Sequence, residues 1–244
     1  MRNLRLDICY DGTRYRGFQR LPNTDQTIQG KLEKTLTRIL NETIEVSGSG
    51  RTDAGVHATR QIVNFHTHSN MPCSEILESL RRYLPDDIGI YSCKDVSERF
   101  HARLNARKKT YLYRLWVSEN PCVFERKYVT VFPANLDVSA MKMAASRLEG
   151  THDFSAFCAN KHMKKSTVRC VFKIEILEME NEIQFLITGN GFLHNMVRIM
   201  VGTLVEVGLG ERDVESVANL FGAERAAAGR LMEPNGLCLT EVEY

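Results

Sequence analysis

Segments with a two-residue hydrophobic period arrive in adjacent pairs along this chain, and helical patterns separate the pairs. "NLRLDICYD" sets Leu4, Leu6, Ile8 and Tyr10 against polar neighbours, the signature of a half-buried strand. "TIEVSG" and "RQIVNFHTH" read as strands on either side of a glycine-rich loop, and "IGIYSCKDV" and "KKTYLYRLWV" as two more. "RCVFKIEILEME", "EIQFLITGN" and the closing "GLCLTEVEY" complete the set. The spacing of Leu32, Leu36, Ile39 and Leu40 behind Thr27 predicts a helix over 27–40, and "SEILESLRRYL" predicts another, started and capped by Ser74. Further helices are expected over 138–148, after Gly191, and in a short form near 213–221. Strands that follow one another directly pair antiparallel, because parallel neighbours need a long crossover. The order therefore predicts an α+β fold: two similar α+β halves, mainly antiparallel sheet, and a central basic cleft.

The expected division is an N-terminal half over 1–105 and a C-terminal half over 106–244. A chain of 244 residues is long enough for two such fused halves, each with its own apolar core. No stretch is long and apolar enough to predict a membrane span. The best candidate, "GFLHNMVRIMVGTLVEVG", is interrupted by His194, Asn195 and Arg198 and reads as a core helix. Seven dispersed cysteines, with no C-x-x-C spacing, suggest reduced and mostly buried thiols in a cytoplasmic protein, and no zinc site.

Net charge is only +2, but it is unevenly spread. "RFHARLNARKKTYLYR", over 99–114, holds six Arg or Lys and no acid; five more basic residues without an acid fall over 161–173. Arg2, Arg5, Arg14, Arg16 and Arg20 lie near the N-terminus, while the last forty residues lean acidic. Brought to one face, these segments make a polyanion-binding surface; kept apart, they are ordinary solvated faces.

The loop "SGSGRTDAGVHA", over 47–58, carries one carboxylate, Asp53, among three glycines. Such an acid can simply accept backbone hydrogen bonds in a turn. A hard-metal site needs several oxygen ligands, and the loop offers one carboxylate. His57 is a candidate acid/base partner, although a lone histidine four residues on is commonly structural. No G-x-S-x-G, G-K-[ST] or post-strand G-x-G-x-x-G is present. Arg198 is the only formal charge between Gly189 and Val205, on one helical face with His194, Asn195 and Gly202. It either reaches water or pairs with a carboxylate that it keeps ionised, and Asp53, between Gly50 and Gly55, is the acid best able to approach closely.

"GRTDAGVHA" resembles the signature of the tRNA pseudouridine synthase A family. "YDGTRYRGFQ", "TIQGKLEKTL", "FHARLNARKKTYLYRL", "GFLHNMVRIMVGTLVEVG" and "GLCLTEVEY" resemble further blocks of that family in order, so the resemblance spans essentially the whole chain. It implies a pseudouridine synthase fold and an isomerase that converts uridine to pseudouridine at positions 38, 39 and 40 of the tRNA anticodon stem-loop. Carried over by position, Asp53 falls at the catalytic aspartate and Tyr111 at the active-site tyrosine. Arg198 falls at the basic residue paired with the aspartate, and Arg51 at an arginine associated with base flipping. Tyr113, two residues beyond Tyr111, reads as an ordinary strand tyrosine. The resemblance also implies a homodimer and no cofactor or metal. RNA phosphates are expected along Arg103, Arg107, Lys108, Lys109, Lys164 and Lys165. Cys238 departs from the family pattern, where an aromatic residue is common. A non-catalytic tRNA-binding chaperone with the same basic surface, and a metal-dependent phosphoesterase using Asp53 and His57, are the rival readings.

Overall fold

The computed structural model describes residues 1–160 and 163–244. The chain forms two compact units, one of Met1–Arg107 with Leu239–Tyr244 and one of Lys108–Cys238. The class is α+β with mostly antiparallel sheet, and each unit sets two helices beside its strands.

In the first unit the strands are β1 (Arg2–Tyr10), β2 (Val46–Gly48), β3 (His57–Thr67) and β4 (Ile88–Val96). β1 lies between β4 and β3, antiparallel to both, and β2 pairs antiparallel with β3. β10 (Leu237–Glu243) lies on the far side of β3 and ends in this unit. The alternation in β1 is realised: Leu4, Leu6 and Ile8 are fully buried. Helix α1 (Ile28–Leu40) begins where the Thr27 hydroxyl accepts the Gly30 N–H, and it buries Ile28, Leu32 and Leu36. Helix α2 (Cys73–Tyr83) buries Ile76 and Leu80. Its start differs from the expected one. Ser74 lies inside the first turn, Pro72 is the preceding residue, and no side chain caps the helix.

The second unit contains β5 (Lys108–Trp116), β6 (Thr130–Val131), β7 (Gly150–Asp153), β8 (Val168–Glu178) and β9 (Glu182–Gly189). Their order is β5-β9-β8-β7, antiparallel throughout, with β6 added parallel to β5. Helix α3 (Val138–Leu148) is capped by Asp137, whose carboxylate accepts the Ala140 N–H at 2.9 Å. Every residue of α4 (Met196–Gly208) is buried except Arg198 and Glu206, as a core helix requires. The helix starts later than its hydrophobic pattern suggests: Asn195 takes a left-handed conformation at φ 61°, so His194 and Asn195 precede the first turn. The 213–221 helix is a 3-10 helix over Glu215–Leu220.

Two expectations change. The sequence assigns everything after residue 105 to one half, yet Leu239–Tyr244 belong to the first unit. There the Tyr244 hydroxyl donates to Ala102 O at 2.8 Å and its ring packs on Phe100 at 5.0 Å. The thiols are all free, but only Cys158 is buried and the other six are half-buried. No helix of the described residues is long and apolar enough to cross a membrane.

Candidate active site

In the first unit, Asp53 lies on the loop between β2 and β3, and almost everything around it is tied down. Ser49, Thr52 and His57 are buried polar residues, as is Gln61 on β3. The Ser49 N–H donates to Ile62 O at 2.8 Å, its hydroxyl meets the Gln61 side-chain oxygen, and Gln61 Nε2 donates to Gly50 O at 3.2 Å. The loop is then clasped from its other side by residues 10–18. Tyr10 and Thr52 share a hydroxyl–hydroxyl bond of 2.8 Å, the Phe18 N–H donates to Thr52 O at 3.0 Å, and the Gly55 N–H donates to Tyr15 O at 3.3 Å.

The clasp is close enough to require glycine. A Cβ on Gly12 would lie 2.0 Å from Val56 O; Gly17, at φ +102°, would place one 2.8 Å from Thr52 O. His57 serves this packing: its Nδ1 accepts the Gly12 N–H at 3.1 Å, with Asp11 Oδ1 3.2 Å away. Asp53 itself is half-buried and Arg51 exposed. The loop thus holds its buried polar groups in closed pairs around the half-buried Asp53.

In the second unit, the loop 190–195 touches two of the expected residues, Tyr111 and Arg198. Tyr111 on β5 is buried, and its ring meets Phe192 edge-on with centroids 5.3 Å apart. Three residues on, Asn195 Oδ1 accepts from Arg198 Nη1 at 2.9 Å, and Arg198 Nε donates to Met232 O at 2.7 Å. The half-buried guanidinium is therefore aimed by one side chain and one carbonyl. Tyr113 behaves differently from Tyr111. It is fully buried, shares a 2.6 Å bond with the Thr130 hydroxyl and donates to Glu233 O at 2.9 Å. Burial pushes its hydroxyl well above the ordinary tyrosine range.

The model of a family described as tRNA pseudouridine synthase matches residues 8–105 and 144–244. The chain belongs to the tRNA pseudouridine synthase family. It is 45% identical over 245 residues to tRNA pseudouridine synthase A 2 of Bacillus cereus (strain ZK / E33L), covering all of both chains. Against tRNA pseudouridine synthase A 1 of Clostridium tetani it is 44% identical over 247 residues, again covering both completely. A solved Cbf5-Nop10-Gar1 complex is similar over 97% of this chain and 48% of that one, at 12% identity and a TM-score of 0.40.

Within this synthase the basic residues expected to meet RNA are outward-facing: Arg103, Arg107, Lys108, Lys164 and Lys165 are exposed and Lys109 is half-buried. Arg103 and Arg107 belong to the first unit, the four lysines to the second; Lys161 lies outside the described residues. The segment before Arg103 is pinned by buried Asn3 and Asn64, whose amides bond each other at 3.0 Å while Asn64 Oδ1 accepts the Ala102 N–H at 2.8 Å. Arg107 lines a depression of about 500 Å³ with Arg99 and Tyr244. The described residues contain no cluster of three or more His, Cys, Asp or Glu suited to a metal. Sequence reading set Asn195 on one face with Arg198 but gave it no role, and it did not single out Phe192 or the Met232 carbonyl. Phe192 stands inside "GFLHNMVR", where its proximity to Arg198 was available as a signal; the Met232 carbonyl had none.

Proposed function

We propose that this protein isomerises uridine to pseudouridine at positions 38, 39 and 40 of the tRNA anticodon stem-loop, with Asp53 as the catalytic carboxylate. The reaction class, isomerisation of uridine in tRNA, follows from membership of the family. The observation that supports the assignment to Asp53 is the loop itself: a hydrogen-bonded frame of buried polar residues around a single half-buried carboxylate.

The chemistry breaks the bond from ribose C1′ to uracil N1 and forms one from C1′ to C5. C5 then loses its proton and N1 ends protonated, so atoms balance with no net oxidation. An ionised carboxylate serves as nucleophile on sugar or base, or as base on the sugar, and each route needs Asp53 charged. Arg198 is assigned to keep it so, an assignment supported by a guanidinium held in a fixed pose by Asn195 and Met232. Tyr111 is assigned to pack on the uracil, and Arg51 to the flipped strand. Removing the target base from its stack costs a few kcal/mol, which contacts to the extruded nucleotide must offset. The same reading makes the protein cytoplasmic and a homodimer, the latter checked by sedimentation at micromolar concentration.

Asp53→Ala is expected to bind unmodified tRNA within about twofold of wild type yet form pseudouridine more than about 10³-fold more slowly. Wild-type turnover would overturn the assignment. The non-catalytic chaperone reading predicts no pseudouridine from either protein. Activity that survives a chelator separates this function from a metal-dependent phosphoesterase. Arg198→Met is expected to slow pseudouridine formation at least about tenfold while tRNA binding stays within about twofold of wild type, and wild-type turnover would remove Arg198 from the site.

A further inference from the structure

Helix α1 carries a charge pattern that the active site does not use. Lys31, Lys34 and Arg38 recur at intervals of three and four, which places them along one face, opposite the buried Leu32 and Leu36. This face forms one wall of a groove of about 680 Å³, closed by Tyr83 and the two residues after it and by Arg14 from the segment that clasps the Asp53 loop. Four cations line the groove, and no carboxylate does.

The cations are only partly neutralised. Arg14 pairs with Asp87 at 2.6 Å and Lys31 with Asp25 at 3.3 Å, outside the lining. Lys34 is exposed, with no ion pair among the described residues. Arg38 instead lies over the Tyr83 ring, 5.0 Å from its centroid, and Arg82 lies 5.7 Å from the same ring. Tyr83 keeps 47% of its surface exposed. Exposed cations interleaved with an exposed aromatic ring are what a single strand of nucleic acid needs: charge for phosphates and a π-face for a base or ribose.

Extent and position narrow the ligand further. From Lys31 to Arg38 the helix rises about 10 Å, more than one phosphate group spans. Tyr15 lines the groove, and its carbonyl holds the Gly55 N–H two residues beyond Asp53. The groove therefore adjoins the catalytic loop through a single residue. We propose that it is an RNA-backbone subsite that holds consecutive phosphates of the substrate strand leading away from the target nucleotide. The inference rests on the tRNA function proposed above and adds to it a binding surface outside the residues assigned there.

The test is equilibrium binding of an unmodified tRNA transcript across a salt series, with Lys34→Ala/Arg38→Ala against wild type and Lys142→Ala, an exposed lysine of α3, as control. Each lost phosphate contact lowers the slope of log K against log salt by about 0.7 to 0.9, so the double variant should lose about 1.4 to 1.8 in slope and roughly 25- to 60-fold in affinity near ~0.1 M salt. Lys142→Ala should match wild type in both. An unchanged slope and affinity overturns the subsite, and so does weaker binding at the wild-type slope. Asp53→Ala, measured alongside, keeps the two readings apart: if it abolishes turnover while the double variant binds normally, the subsite fails and the function stands.

Discussion

Tyr111 and Tyr113 stand two residues apart on one strand, so a two-residue period puts them on one face and cannot separate them. Only the resemblance distinguishes them in sequence; the structure does so physically. Tyr113 spends its hydroxyl on Thr130 and Glu233 within a fully buried site, whereas Tyr111 meets Phe192 beside the Arg198 loop. Tyr113→Phe should therefore cost about 1–2 kcal/mol, because it leaves buried partners unsatisfied, while turnover by the folded enzyme stays near wild type. Thermal unfolding with parallel kinetics checks both halves. Tyr111→Leu should do the reverse, cutting turnover at least about tenfold for a small loss of stability, since volume is roughly kept but the ring's face is lost. Asp53 was legible as a lone acid in a glycine-rich loop, although residue type alone left the turn reading open and only the resemblance gave it a role. The frame that fixes it was not, since Tyr10 and Thr52 lie 42 positions apart.

Elements with a long, regular period were recoverable from the sequence, including β1, α1, α3 and β9. Short ones were not. β6 has two residues and β7 four, too few for a period to show, and their place is set by pairing to β5 and β8. The basic face of α1 escaped notice because helical spacing dilutes it in sequence, unlike the uninterrupted run at 99–114. A more consequential feature is the crossing of α4 by the segment 229–232. Gly229 donates its N–H to the Thr203 hydroxyl at 3.0 Å, and a Cβ on Gly202 would lie 1.9 Å from Arg230 O. Two residues later Met232 O holds the Arg198 guanidinium. Gly202→Ala should push that segment off the helix, costing about 1–3 kcal/mol, and should misplace Arg198 as well. Activity of the folded fraction is expected to fall by an order of magnitude or more. A variant that is destabilised yet turns over normally would show that Arg198 needs no help from this crossing.

At the scale of the whole molecule, the return of Leu239–Tyr244 to the first unit was beyond sequence reasoning, since no local pattern records which sheet a terminal strand joins. Its consequence is a tyrosine, Tyr244, whose hydroxyl burial pushes above the ordinary range, as burial also does for Tyr15 in the same unit and Tyr113 in the other. All three favour the neutral phenol in the folded state. Below about pH 10 the unfolded chain is neutral too, so this stability is fully present; above it the unfolded tyrosines ionise and the folded ones do not. Stability must then fall with rising pH, by about 1.4 kcal/mol per pH unit for a fully buried hydroxyl such as that of Tyr113, and by less for hydroxyls nearer water. The acid side is gentler. The carboxyl groups lowered there, Glu42 by the Thr67 hydroxyl and Asp95 by Arg2, lie at the surface and lose their small contribution as pH drops through their folded values. Melting temperature should consequently be flat near neutrality and drop steeply above about pH 10. Tyr113→Phe makes the cause testable: it should melt lower than wild type at neutral pH, yet lose less on going to about pH 11.5, because one of the three ionising groups is gone. Parallel curves for the two proteins would show that alkaline unfolding has another origin.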